Sequence, residues 1–236
     1  MLILAFETSA KADSVALLED GKLLAESYQN TGLTHSQTLM VMAEDMLKAA
    51  GKTVADVTAV AVAEGPGSFT GVRIGVAAAK GRSWGGGLPC CGVSTLEAMA
   101  RTLGVYEGHV CACMDARRSQ VYNALFRAEK GTLIRVTEDR AISLAGLKEE
   151  LERLGGPIFL VGDGGHLTHK TLSAEIPELV LPPEHRLHQR ASGVALVAAE
   201  KIAAGEVCDG NALTPNYLRL SQAERERRER EHTNDM

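Results

Sequence analysis

Residues 2–6 form an unbroken apolar run, the pattern of a strand buried on both faces. Residues 14–19 and 22–29 read as two further strands, and Asp20-Gly21 between them suits a tight hairpin. From 34 to 50 the apolar positions recur at helical spacing, with Thr34 placed to cap the helix and Gly51 to end it. A strand over 57–63, a helix over 68–84, a short strand over 89–93 and a helix over 94–103 capped by Ser94 complete this half.

The second half repeats the order. An apolar strand over 110–114 ends in an acid, Asp115, as the first strand ends in Glu7. Residues 121–128 and 133–138 form a hairpin across Lys130-Gly131, followed by a helix over 143–154, a strand over 158–161 and a helix over 191–204. Each half leads with consecutive strands and then alternates helix with strand, which predicts a mixed sheet covered by helices. The fold class expected is α/β: a duplicated ribonuclease-H-like, actin-like ATPase (ASKHA) fold of two β-β-β-α-β-α units. The units are placed at 1–105 and 106–220, with a charged tail at 221–236.

Composition narrows the function. Of 236 residues, 45% are hydrophobic and 23% charged, as in ordinary globular chains. A net charge of -5 argues against autonomous nucleic-acid binding. No stretch is long and apolar enough for a membrane span, and residues 1–9 read as a first strand rather than a signal peptide. The five cysteines lack framework spacing, so reduced thiols and a cytoplasmic protein are expected. Cys111 and Cys113, two apart on a strand, share a face. No cysteine or histidine spacing predicts a metal site. Residues 223–231 contain no large apolar side chain and read as a solvated tail, or else as a segment touching a partner or RNA.

A nucleotide-hydrolysing cleft of this architecture needs glycine-containing loops whose amides approach phosphate closely. The first loop position, Glu7-Thr8-Ser9-Ala10-Lys11-Ala12, has no glycine, and the second, Asp115-Ala116-Arg117-Arg118-Ser119, carries two arginines where a glycine turn is wanted. Gly162-Asp163-Gly164-Gly165 stands at the adenosine-loop position but equally reads as a turn. No cofactor is therefore expected, and no catalytic residue: His35-Ser36 suits a helix start, and Gly67-Ser68-Phe69-Thr70-Gly71 lacks the spacing of a nucleophile elbow. His166 and His169 have no third ligand at recognisable spacing.

The segment Glu64-Gly-Pro-Gly-Ser-Phe-Thr-Gly-Val-Arg-Ile-Gly75 is the most informative. Ser68 is placed to cap the following helix, and with Arg117 and Arg118 it is a candidate anion contact. Gly71, Gly75, Ala78 and Ala79 put small residues on one side of that helix, where another backbone can come near. On the preceding helix, Leu39, Met42, Ala43 and Met46 belong to an apolar face covering roughly half the circumference, wider than one sheet requires. The surplus is either buried under neighbouring helices or a docking face, for which methionines are adaptable contacts.

These motifs resemble the bacterial tRNA threonylcarbamoyladenosine biosynthesis family TsaB, also called YeaZ. The resemblance is carried by Ile3–Ser9, His35-Ser36-Gln37, Gly65–Gly75, Met114–Arg118 and Pro215–Arg219, and covers about residues 1–220. Glu7 departs from the Asp usual in the family. The resemblance implies a non-catalytic paralogue of TsaD, the subunit that threonylcarbamoylates the adenosine beside the anticodon of ANN-reading tRNAs. It implies pairing with TsaD through helices of the first unit, a complex that includes the ATPase TsaE, contact with tRNA only within that complex, and a homodimer when TsaD is missing. A glycoprotease-like hydrolase and a small-molecule kinase of the same fold are the alternative readings.

Overall fold

The computed structural model describes residues 1–103 and 106–219. Its first sheet is ordered β3-β2-β1-β4-β5, from β1 (Leu2–Glu7), β2 (Asp13–Glu19), β3 (Lys22–Gln29), β4 (Ala59–Gly65) and β5 (Cys90–Ser94). The second is ordered β11-β10-β6-β7-β8, from β6 (Gly108–Asp115), β7 (Gln120–Glu129), β8 (Thr132–Arg135), β10 (Ile158–Val161) and β11 (Leu179–Val180). In each sheet the first three strands pair antiparallel and the next pair parallel. Strand β9 (Arg140–Ser143) adds to the far side of β7. The expected duplication is thus present in topology, and it matches more fully than the sequence indicates.

Both hairpins turn where expected, through Asp20-Gly21 and Lys130-Gly131, all four residues at positive φ. Helices α1 (His35–Ala49) and α2 (Phe69–Gly86) cover one face of the first sheet, and their apolar sides close a core around Leu4, Phe6, Val15, Leu17 and Val62. Helices α4 (Leu144–Leu151) and α5 (Gly165–Leu172) do the same for the second sheet around Cys111, Cys113, Leu125 and Leu160. Cys111 and Cys113 share the face the alternation predicts, and all five cysteines are free thiols.

Between the sheets lie two helices whose assignments cross. Helix α3 (Thr95–Thr102) leaves the first sheet and sends Leu96, Met99 and Ala100 into the core of the second, beside Val110, Ala112 and Phe126. Helix α7 (Ala191–Ala203) ends the second run of elements, yet its Val194, Ala195, Val197 and Ala198 seal the first sheet over Ile3, Ala5, Ala16 and Ala61. The two cross closely: a Cβ on Gly193 would meet the Ala98 carbonyl oxygen at 2.2 Å. The α7 sequence is apolar nearly all round, as burial between a sheet and a helix demands.

Several local expectations need correction. The Thr34 side chain makes no cap bond; its carbonyl accepts from Gln37 instead. The strand expected over 133–138 stops at Arg135, and the helix expected over 143–154 stops at Leu151. Helix α5, strands β9 and β11 and the one-turn helix α6 (Glu184–Leu187) have no counterpart in the sequence reading; they are short, and α5 lacks a side-chain cap. The tail expected at 221–236 lies outside the described residues.

Candidate functional site

The two expected phosphate loops and the glycine-rich loop meet at the ends of β1, β6 and β10, between the two units. The first loop is filled by its own surroundings. Ser68, at the start of α2, donates its amide to the Ser9 carbonyl at 2.7 Å. A Cβ on Gly67 would meet that same oxygen at 2.5 Å, one on Gly71 would meet the Thr8 carbonyl at 2.1 Å, and one on Gly75 would meet Thr8 Oγ1 at 2.4 Å. Thr8 Oγ1 in turn donates to the Gly71 carbonyl at 2.8 Å. The small residues of α2 therefore let the first loop of the same chain lie against the helix. His35 fixes the loop from its other side, its Nε2–H donating to the Ala10 carbonyl at 2.8 Å, with Nδ1 3.8 Å from Asp13 Oδ2.

Glu7 is fully buried here. Its Oε1 accepts from the Ser9 amide at 2.6 Å, while Oε2 and the Ser9 hydroxyl have no partner among the described residues. Burial pushes its carboxyl up to about 7; the hydrogen bond from the Ser9 amide pulls the other way and the Asp163 charge adds a further push. Asp163, in the glycine-rich loop, is raised as well, chiefly by burial. Gly162 and Gly164 of that loop sit against the end of β6: a Cβ on Gly162 would meet the Cys113 carbonyl at 2.2 Å, and the Gly164 amide donates to it at 3.0 Å. Its glycines serve packing against a strand.

These residues do not fit a nucleotide's phosphates. The Ser68 amide is taken by Ser9, the Ser68 hydroxyl accepts from the Gly71 amide at 3.3 Å, and the glycine approach is used by Thr8. Nor do they form a nucleophile and base. The Ser9 hydroxyl is buried without a histidine partner, and the His35 Nε2 proton is committed to a carbonyl. Among the described residues no three His, Cys, Asp or Glu side chains gather closely enough for a metal ion. No helix of the described residues is long and apolar enough to cross a membrane.

The docking residues read from the sequence separate into two groups. Leu39, Ala43, Met46, Gly71, Gly75 and Ala79 are buried within the chain's own first core or against its first loop. Met42 and Ala78 are half-buried and reach the surface. What α1 and α2 expose instead is Met40 at 52%, Val41 at 57% and Trp84 at 75%. Helical periodicity alone does not separate these from the core set, because α1 is apolar on more than one side. Arg117 and Arg118 are exposed, and Ser68 is exposed but occupied as the α2 cap.

A segment after α7 straps the first unit. Cys208 pairs with Cys90 through reciprocal backbone hydrogen bonds of 2.8 and 2.9 Å, Leu213 is buried in the α1–α2 core, and the Asn216 amide donates to the Glu64 carbonyl at 2.6 Å. Tyr217 then stacks on Phe69 of α2 with ring centroids 4.7 Å apart. Ser83, Trp84, Pro89, Val207 and Cys208 line a cavity of about 490 Å³ where the strap meets the end of α2.

A family model described as TsaD, tRNA N6-adenosine threonylcarbamoyltransferase, matches residues 29–226. The tRNA threonylcarbamoyladenosine biosynthesis protein TsaB of Bacillus subtilis (strain 168) is 34% identical over 226 residues, covering 95% of this chain and 96% of that one. TsaB of Escherichia coli (strain K12) is also 34% identical over 226 residues, covering 94% and 96%. Among solved structures, YeaZ from Pseudomonas aeruginosa superimposes with a TM-score of 0.74 at 27% identity, over 92% of this chain and 99% of that one. Component A of the Acidaminococcus fermentans (R)-2-hydroxyglutaryl-CoA dehydratase, with a TM-score of 0.51 at 13% identity, shares the fold. With relatives this similar over nearly its whole length, the chain belongs to the TsaB (YeaZ) family.

Proposed function

We propose that this chain is a non-catalytic subunit for tRNA threonylcarbamoyladenosine formation, which activates TsaD by pairing with it. The observation that carries the reading is that α2 of the same chain fills the first of the loops expected to hold phosphate. The loop after β1 is packed against α2 of the same chain, the glycines after β10 lie against β6, and the Glu7 carboxyl at the end of β1 is buried with its pKa raised to about 7. The relatives' names supply the pathway, and the match to a TsaD family model fits a paralogue that keeps the architecture of the transferase.

The pairing face we assign is the exposed side of α1 and α2, centred on Met40, Val41 and Trp84 with Met42 and Ala78 at its edge. Exposed apolar side chains on two neighbouring helices favour a protein partner. TsaE joins through the resulting complex, and a second copy of this chain occupies the same face when TsaD is absent. The setting is the cytoplasm. A small-molecule kinase is disfavoured by the filled first loop, and a glycoprotease-like hydrolase by the lack of a base beside Ser9 or Ser68.

The deciding experiment is co-purification with TsaD of the same organism, followed by a tRNA threonylcarbamoylation assay with each protein alone and together. Product is expected only with both. Turnover by this chain alone, or full TsaD activity without it, refutes the reading.

A further inference from the structure

The chain carries more acidic than basic side chains, 30 against 25. Accordingly, Arg101, Arg127, Arg135, Arg140 and Arg190 each hold a carboxylate. Four arginines near the opening between the units do not, among the described residues. Arg73 lies over the Phe69 ring, its guanidinium carbon 3.8 Å from the ring centroid, and donates from Nε to the Tyr217 hydroxyl at 2.8 Å. Two residues beyond Tyr217, Arg219 donates to the Ala116 carbonyl at 2.8 Å, which joins the strap to the loop after β6. Arg117 and Arg118 stand exposed on that loop.

Two features set this strip apart from an ordinary solvated patch. Arg117, Arg118 and Ser119 have φ of 62°, 54° and 55°, three successive non-glycine residues in the left-handed region. Such residues are uncommon singly, and they persist only where the surroundings hold them. Here the Arg117 amide is held by Asp115 Oδ1 at 2.7 Å, and the loop is closed between Ala116 and Gln120. Asp115 is the one acid in the loop. The second feature is the Phe69–Tyr217–Arg73 stack, in which Tyr217 stays 40% exposed. Guanidinium planes and aromatic rings together are what proteins offer to unpaired bases and their phosphates.

We infer that this strip, Arg73, Phe69, Tyr217, Arg219, Arg117 and Arg118, is a contact surface for the backbone of RNA, through which the chain itself touches tRNA in the complex. The inference rests on the tRNA reading above and gives this subunit a direct share in substrate binding. An extended polyanion fits better than a mononucleotide, because the guanidinium groups are spread from α2 to the second unit and converge on no single point. With net negative charge elsewhere, the strip adds to binding provided by a partner rather than holding RNA unaided.

The test uses the complex of this chain with TsaD and an unmodified ANN-reading tRNA, with affinity measured by fluorescence anisotropy across a salt series. In the R117Q/R118Q variant the slope of log affinity against log salt should fall by about two, about one per lost phosphate contact. Removing the same charge elsewhere, in R153Q/R186Q, should leave the slope unchanged. Ultraviolet cross-linking should place an RNA adduct on the peptide carrying Tyr217, and Tyr217→Leu should abolish it. If R117Q/R118Q still co-purifies with TsaD and keeps the full slope, or if no adduct forms on that peptide, the inference is overturned while the pairing role stands. Failure of the wild-type chain to pair with TsaD overturns the functional reading itself.

Discussion

Glu7 sets a pH dependence that a single atom substitution isolates. Its unfolded value is 4.5 and its folded value about 7. Between the two, the folded chain keeps a proton that the unfolded chain has released, so stability falls as pH rises through that window and levels off above it. The full effect is on the order of 3 kcal/mol. Glu7→Gln should flatten the pH dependence of the urea midpoint between pH 4.5 and 7 and raise stability above it. An unchanged profile would mean that the carboxyl is solvated. Gly71 makes a second residue-scale case. Its missing Cβ leaves space that the Thr8 backbone fills, so Gly71→Ala should cost about 1–3 kcal/mol by overpacking, read as a lower denaturation midpoint in the isolated chain. The spacing of small residues was visible in the sequence, but the neighbour they admit was not. A small residue marks a close approach without saying from where, and here it comes from the chain's own first loop.

Among the elements, locally encoded features were legible and relational ones were not. Ser68 and Ser94 were readable as caps and both hydroxyls accept the expected amide; Ser143 caps α4 in the same way, although the sequence marked it only as the start of that helix. Thr34 was readable in the same way, yet its side chain makes no such bond. Ser94→Ala should therefore cost about 1 kcal/mol, whereas Thr34→Ala should change the melting curve little. Helix α1 shows the larger gap. Leu39, Ala43 and Met46 face the sheet while Met40 and Val41 face outward. Half a circumference of apolar residues did not disclose which part the sheet covers. Met40→Asp with Val41→Asp should leave the monomer's melting curve within about 0.5 kcal/mol of wild type yet reduce co-purification with TsaD. Met46→Asp should unfold the chain, because it places a charge in the core. Equal melting losses in both variants would remove the distinction between core and docking face.

At the scale of the molecule, the duplication was legible from element order, since two halves of similar pattern predict two similar sheets. Where α3 and α7 pack was not legible, because sequence order assigns each helix to its own half while the structure places each on the other sheet. The apolar surface all around α7 was the available sign. A chain ending before Ala191 loses the helix that seals Ile3, Ala5 and Ala61, and the strap that buries Leu213. Such a fragment should show no cooperative melting and rapid proteolysis throughout its first half, although every strand of that half is present.

The same crossing bears on how the protein is made. The strands synthesised earliest have one greasy face with nothing to lie against until residues 191–203 leave the ribosome. The first sheet therefore cannot settle until residues 191–203 have been translated. Until then the nascent chain is a natural client for holding chaperones, and a stop codon just ahead of residue 191 would be as damaging as a much earlier one.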